Sequence, residues 1–170
     1  MKKIKLLFIT SIFTASLTNA QTRVVLIEQF TNAGCPPCAA SSPYVFEYVD
    51  TNQNDVIAIA YHTAFPYYDS MYFENPVESD ARVEYYGVAG VPFSIVDGNY
   101  YQNSSSAFLQ VIASTINTRK AISPGYEIQN LSLNISGNIL SGSFQFTSAN
   151  ASNSNDSLIA HLVVIEKNVL

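Results

Sequence analysis

Two cysteines, the only ones in 170 residues, stand in the string Cys35-Pro36-Pro37-Cys38, between an apolar run and a helix-compatible segment. The run is Val24-Val25-Leu26-Ile27-Glu28-Gln29-Phe30, and the helical segment extends from about Ala39 to Val49. That order constrains the fold, because it makes a strand deliver a dithiol to the N-terminus of a helix. Unpaired backbone N–H groups and the helix dipole there favour thiolate over thiol, lowering the pKa of the first cysteine. Cys35 is therefore the candidate nucleophile, and Cys38, one turn in and expected to be more buried, the thiol that resolves a mixed disulfide. Two other readings of the spacing stay open: half of a zinc site, or an inert short disulfide. A structural zinc site needs four ligands. The chain has no third cysteine, and His62 and His161 lie far away in sequence, so ligand count argues against the metal. The expected site holds no metal and no cofactor beyond a redox-active Cys35–Cys38 disulfide.

The chain opens Met1-Lys2-Lys3-Ile4-Lys5, continues with an apolar stretch from Leu6 to Leu17 and reaches Thr18-Asn19-Ala20 before its character changes. This is the pattern of a secretory signal peptide over residues 1–20, cut after Ala20. The stretch is too short to span a bilayer, so no transmembrane span is expected in the mature chain. Export to a periplasm, an outer-membrane surface or the extracellular space would let a dithiol persist oxidised. Without the leader, five basic residues face thirteen acidic ones, a net charge of −8. That sign makes nucleic acid an improbable partner.

Past the first strand and helix, Asp55-Val56-Ile57-Ala58-Ile59-Ala60-Tyr61 reads as a continuous apolar strand of the buried parallel type rather than an edge. A right-handed βαβ unit then puts both strand ends on one side, with His62 near the dithiol. From Thr63 to Asn75 the chain is rich in Tyr and Phe and reads as irregular. A helix follows, with Asn75 as N-cap, Pro76 at N1, Glu78 at N3 and Gly87 at the C′ position. Val91 to Asp97, the turn signal Asp97-Gly98-Asn99, and Tyr100-Tyr101-Gln102 predict two strands joined by a tight turn. A last helix, begun around Ser104 to Ser106, carries Phe108, Val111, Ile112, Thr115 and Ile116 on one face and ends in Arg119 and Lys120. From about Ala121 the pattern turns to β. A hairpin is expected from Ile128–Ile135 and Leu140–Phe146, followed by a strand over Leu158–Ile165 that holds His161 as a structural histidine; together they suggest part of a β-sandwich.

Over residues 23 to 120 the sequence resembles the thioredoxin superfamily. Three features carry the resemblance: the CPPC string, Pro43 five residues past Cys38, and Val91-Pro92 ahead of the third main strand. It implies an α/β fold, a thioredoxin-like sheet with flanking helices over 21–120; the β pattern over 121–170 reads beside it as a C-terminal antiparallel β extension, an incomplete β-sandwich that suggests a truncated domain. It also implies a kinked helix at Pro43, which gives a reason for a residue that otherwise costs about 3 kcal/mol in a helix interior. The Pro92 match implies a cis peptide that turns the Val91 backbone toward the dithiol, where it pairs with substrate. More narrowly, Ile27-Glu28-Gln29-Phe30-Thr31, Tyr61-His62 and Tyr86-Gly87-Val88-Ala89-Gly90-Val91-Pro92 look like the thioredoxin-like domain of secreted, outer-membrane-protein-related envelope proteins. One departure stands out. Where relatives often place a buried acid six residues before the first cysteine as a proton relay, this chain has Gln29; Glu28 is next door but points to the opposite sheet face.

The implied activity is thiol:disulfide exchange on protein thiols or disulfides, with substrate at Val91 and Pro92, tuning by Glu28, Gln29 and His62, and a second redox protein restoring the dithiol. The alternative is a non-catalytic envelope or surface module with a structural disulfide, since fold alone does not fix activity. A third reading is Cu(I) handling by Cys35, Cys38 and His62. Tyr67, Tyr68, Tyr72, Tyr85 and Tyr86 are either core packing or a peptide-binding rim.

Overall fold

The structure, a computed structural model, describes residues 23–102, 108–148 and 159–165. The expected leader lies outside these. Among the described residues the elements run in the order β1 (Val25–Thr31), α1 (Pro36–Thr51), β2 (Val56–His62), α2 (Ser70–Glu74), α3 (Pro76–Tyr86), β3 (Phe93–Val96), β4 (Asn99–Gln102), α4 (Phe108–Lys120), β5 (Tyr126–Ser136) and β6 (Ile139–Ser148). The first four strands form one mixed sheet in the order β2-β1-β3-β4, and β5 and β6 form a separate antiparallel hairpin.

The β1-α1-β2 crossover is parallel, with Val25 opposite Val56 and Thr31 opposite His62. Strand β3 then returns antiparallel along the other side of β1, pairing Ile27 with Val96 and Gln29 with Ser94. Alternation along β1 divides the core in two. Val25 and Ile27 face Val45 of α1 and Ile116 of α4 together with Val56 and Val96, whereas Phe30 meets Tyr86, Val88 and Ile95 on the α3 side. Asp97 and Gly98, both at positive φ (47° and 76°), make the two-residue turn from β3 to β4. That backbone matches the twist of a tight hairpin and is why an Asp-Gly pair stands there. Asp97 also ties this end of the sheet together: its carboxylate accepts from the Leu26 amide at 2.9 Å and pairs with Arg23 and Arg119.

Three expectations are corrected. Strand β2 is parallel as expected but lies at the sheet edge, and Ile57 is 51% exposed. Its apolar run reflects burial on the α1 side, where Val56 is covered, and not cover on both faces. The segment read as irregular before Asn75 contains the short helix α2, nucleated by Asp69, whose Oδ1 accepts the Met71 amide at 2.9 Å. Asn75 is at once the C-cap of α2 and, as expected, the N-cap of α3, though its side chain makes no capping hydrogen bond, and Gly87 ends α3 at φ 63° as expected. Finally, Ile159–Ile165 forms no strand: Leu162 and Val164 are exposed, as is His161. A strand needs a ladder partner, and none of the described residues supplies one.

Candidate active site

Cys35 and Cys38 form a disulfide at the start of α1, with Cα atoms 5.2 Å apart. Cys35 is the N-cap. Pro36 and Pro37 occupy the first helical positions, where a missing N–H costs nothing, so the first donor the helix offers is the Cys38 amide. It donates to Cys35 Sγ at 3.2 Å. The helix terminus thus aims its positive end at the sulfur assigned as nucleophile. Both sulfurs belong to buried residues, Cys35 at 2% and Cys38 at 1% exposure.

Across from the dithiol, the Val91–Pro92 peptide is cis, and Val91 O lies 3.7 Å from Cys35 Sγ. Glu28 and Gln29 part ways as strand alternation requires. Glu28, 2% exposed, leaves the sheet on the α3 side, where Arg82 donates to its Oε1 and the Tyr86 hydroxyl donates to Oε2 at 2.6 Å. Burial, then the hydrogen bond and charge of Glu28, push the Tyr86 phenol well above its usual range. Gln29 lies on the α1 side and donates from Nε2 to Ser42 Oγ at 3.0 Å. Ser42 is one helical turn beyond Cys38, so Gln29, and not Glu28, shares the face of the resolving cysteine.

His62 sits at the end of β2 beside Thr31, and its Nδ1 pairs with Asp69 Oδ2 at 2.6 Å. The link onward to the dithiol runs through Asp69, which is 1% exposed and accepts the Ala33 amide on the same oxygen at 2.7 Å. Burial pushes the Asp69 carboxyl up, but the hydrogen bond from His62, the Ala33 amide, the His62 charge and the Met71 amide outweigh it and hold the group below the usual carboxylate range. Buried Asn32 completes the clamp. Its Nδ2 donates to Thr63 O and Tyr67 O at 2.9 and 2.8 Å, and its Oδ1 accepts the Gly34 amide at 3.0 Å. The loop that presents Cys35 is therefore fastened to the segment after β2 at two points. Asp69 and Asn32 were not singled out from the sequence. The available signal for Asp69 was its position just before a Ser-Met-Tyr-Phe stretch, where an acid caps a helix.

Beside that loop stand exposed aromatics: Tyr67, which packs against Gly34, and Tyr68, whose ring lies tilted against Phe73 with centroids 5.2 Å apart. Tyr85 is also exposed, whereas Tyr86 belongs to the core. Among the described residues no three His, Cys, Asp or Glu side chains are grouped to hold a metal, and no helix is long and apolar enough to cross a membrane.

A four-stranded mixed sheet with a disulfide at the first strand-to-helix junction and a cis-proline facing it decides the architecture. The fold is thioredoxin-like. The chain superposes with a TM-score of 0.56 on HBP35 of Porphyromonas gingivalis, with 18% identity over 75% of this chain and 43% of that one. It thus spans less than half of that protein's length. Weaker matches include thioredoxin from Wuchereria bancrofti (TM-score 0.35, 20% identity, 58% of this chain and 84% of that one). Another is tryparedoxin II complexed with glutathionylspermidine (TM-score 0.39, 14% identity, 59% of this chain and 80% of that one). No protein-family model matches the chain, and no curated protein matches it in sequence. The thioredoxin-like site therefore rests on its geometry, a dithiol under a helix N-terminus with a backbone carbonyl beside the first sulfur.

Proposed function

We propose that this chain is an exported thiol:disulfide oxidoreductase acting on protein disulfides. The observation that carries the reading is the placement of Cys35 Sγ between the Cys38 amide at 3.2 Å and Val91 O at 3.7 Å. The first stabilises a thiolate, and the second is a backbone acceptor positioned to hold an extended substrate segment beside the sulfur. In the reducing direction, the Cys35 thiolate attacks a substrate disulfide and one substrate sulfur leaves. Cys38 then attacks Cys35 Sγ, closing the Cys35–Cys38 bond and releasing the second substrate sulfur as a thiol. A second redox protein returns the dithiol to its starting state. Export to the periplasm, outer-membrane surface or extracellular space, and kinship with envelope proteins, rest on the leader and on the strings around Gln29, His62 and Val91.

Cys35→Ser should abolish turnover, whereas Cys38→Ala should accumulate the mixed disulfide; equal activity in both variants would sink the mechanism. The burial of both cysteines favours a second reading, a scaffold whose disulfide is structural. Equilibration in thiol buffers decides between them. A reduction potential between roughly −120 and −270 mV belongs to a working oxidoreductase and sets its direction, and one below roughly −300 mV belongs to a structural disulfide.

A further inference from the structure

Beyond the dithiol, exposed aromatic surface gathers on the loop after β2 and the two helices that follow it. Tyr67 packs against Gly34, next to Cys35. From there ring contacts run outward. The Tyr68 and Tyr72 rings each lie 5.2 Å from Phe73, and the Tyr72 hydroxyl donates to Asp80 Oδ2 at 2.9 Å, which joins the aromatic group to the outer side of α3. On that helix Val77, Asp80, Ala81 and Glu84 follow the i, i+3, i+4, i+7 spacing of a single stripe, and all four are exposed. Tyr68 at 77% and Phe73 at 58% exposure are therefore not scattered single residues but parts of one surface. Contiguous exposed apolar surface marks an interaction site.

The charge around these rings has one sign. Between Thr63 and Gly90 the exposed carboxylates are Glu74, Glu78, Asp80 and Glu84, and the single cation, Arg82, is spent on buried Glu28. An apolar occupant would strip water from carboxylates that it cannot pair. A second copy of the chain, docked about a two-fold axis, would lay the same negative charges against each other. Nucleic acid and anionic lipid are repelled for the same reason. A cationic segment meets both requirements: its Lys or Arg heads pair with the carboxylates, and their stems and charges lie over the Tyr68 and Phe73 rings. Arg82 already lies over the neighbouring Tyr85 ring in this way, 5.0 Å from its centroid.

We propose that the ridge from Tyr67 through Tyr68 and Phe73 to the outer stripe of α3 binds a Lys- or Arg-rich segment of the substrate protein, and so directs Cys35 to disulfides that lie near basic sequence. The inference rests on the oxidoreductase reading and names the substrate class for it.

Two measurements on the intact chain test this, one without chemistry and one with it. A fluorescent, cysteine-free peptide carrying several Lys and Arg residues should bind about tenfold more tightly at low salt than the same peptide with Gln in their place. The difference should shrink toward about 0.5 M salt as the charges are screened. Glu74→Gln, Glu78→Gln and Glu84→Gln together should remove most of it, and Tyr68→Ser should weaken binding of the basic peptide about threefold by loss of a ring face. In single turnovers, a disulfide-bonded peptide with the basic flank should form the mixed disulfide with Cys35 about tenfold faster than its Gln counterpart, and the triple variant should bring the two rates together. Equal binding of the two peptides by the wild type, or a preference that the triple variant keeps in full, overturns the proposal. Preferential binding with equal rates of exchange also overturns it, because the ridge then does not serve Cys35. A wild type that binds the basic peptide yet forms a mixed disulfide with neither overturns the oxidoreductase reading, and with it the ridge's role in substrate choice.

Discussion

Asp69 spends one carboxylate on three tasks: it caps α2, fixes the Ala33 amide and holds His62. Its pKa is lower in the folded chain than in the unfolded one, so its contribution is complete above the ordinary carboxylate pKa of about 3.9 and is lost as pH falls through the lower folded value. Asp69→Asn should cost about 1–3 kcal/mol at neutral pH, the range for leaving buried donors unpaired. The gap between wild type and variant in denaturant midpoints should close below about pH 4, from the side of the wild type. Glu28 is a different case. It is buried against Arg82 and Tyr86 on the face away from the cysteines, so Glu28→Ala should destabilise by about 3 kcal/mol, the low end for breaking a buried pair because Arg82 is partly exposed. The Cys35/Cys38 reduction potential should stay where it was, and a shift with unchanged stability would restore Glu28 as a tuning residue. Which of two adjacent acids and amides faces the dithiol was legible in the sequence, because strand alternation is a backbone property. The Asp69 clamp was not, since it joins residues 36 positions apart through a loop with no periodicity.

At the scale of elements, the strand-helix-strand start, the helix ended by Gly87 and the Asp97-Gly98 hairpin were all readable, because each is punctuated by residues whose backbone preferences are local. Burial of β2 was not readable, because an apolar run does not say how many of its faces find cover. The junction between elements also constrains the site. A Cβ on Gly34 would stand 2.7 Å from Tyr67 Cβ, so the loop before Cys35 and the aromatic loop after β2 approach as closely as glycine permits. Gly34→Ala should force them apart, costing about 1–3 kcal/mol as overpacking does, a loss read as a lower denaturant midpoint, and an unchanged midpoint would show that the two loops are free to separate. The hairpin shows the same interplay. Ile128 and Leu133 are five residues apart and would fall on opposite faces of a regular strand. The register shift between Gln129 and Ser132, with Asn130 at φ 52°, inserts the extra residue that returns both to one face, opposite Phe146 and Gly142.

For the whole molecule, the ion pairs of Arg119 with Asp97 and of Lys120 with Asp55 bind α4 to the ends of the sheet strands, Arg23 sharing Asp97, and the β5–β6 hairpin follows with all its side chains but Glu127 exposed. The dithiol and its clamp belong entirely to residues before Lys120. A chain ending there should keep the thermal transition and the reduction potential of the full chain; a loss of either, measured side by side, would make the hairpin part of the redox unit. What the sequence determined by itself is what backbone chemistry and short-range pattern encode: a dithiol at a helix N-cap, prolines that tolerate only certain neighbours, turns that demand positive φ, and the alternation that sends Gln29 and Glu28 to opposite faces. Only the tertiary structure decided that Asp69 links His62 to the Ala33 amide, that β2 is an edge, and that Gln29 faces Ser94. These are contacts between residues distant in the chain, set by how two faces of one sheet are filled, and side-chain pairing across such distances leaves no local trace in the order of the residues.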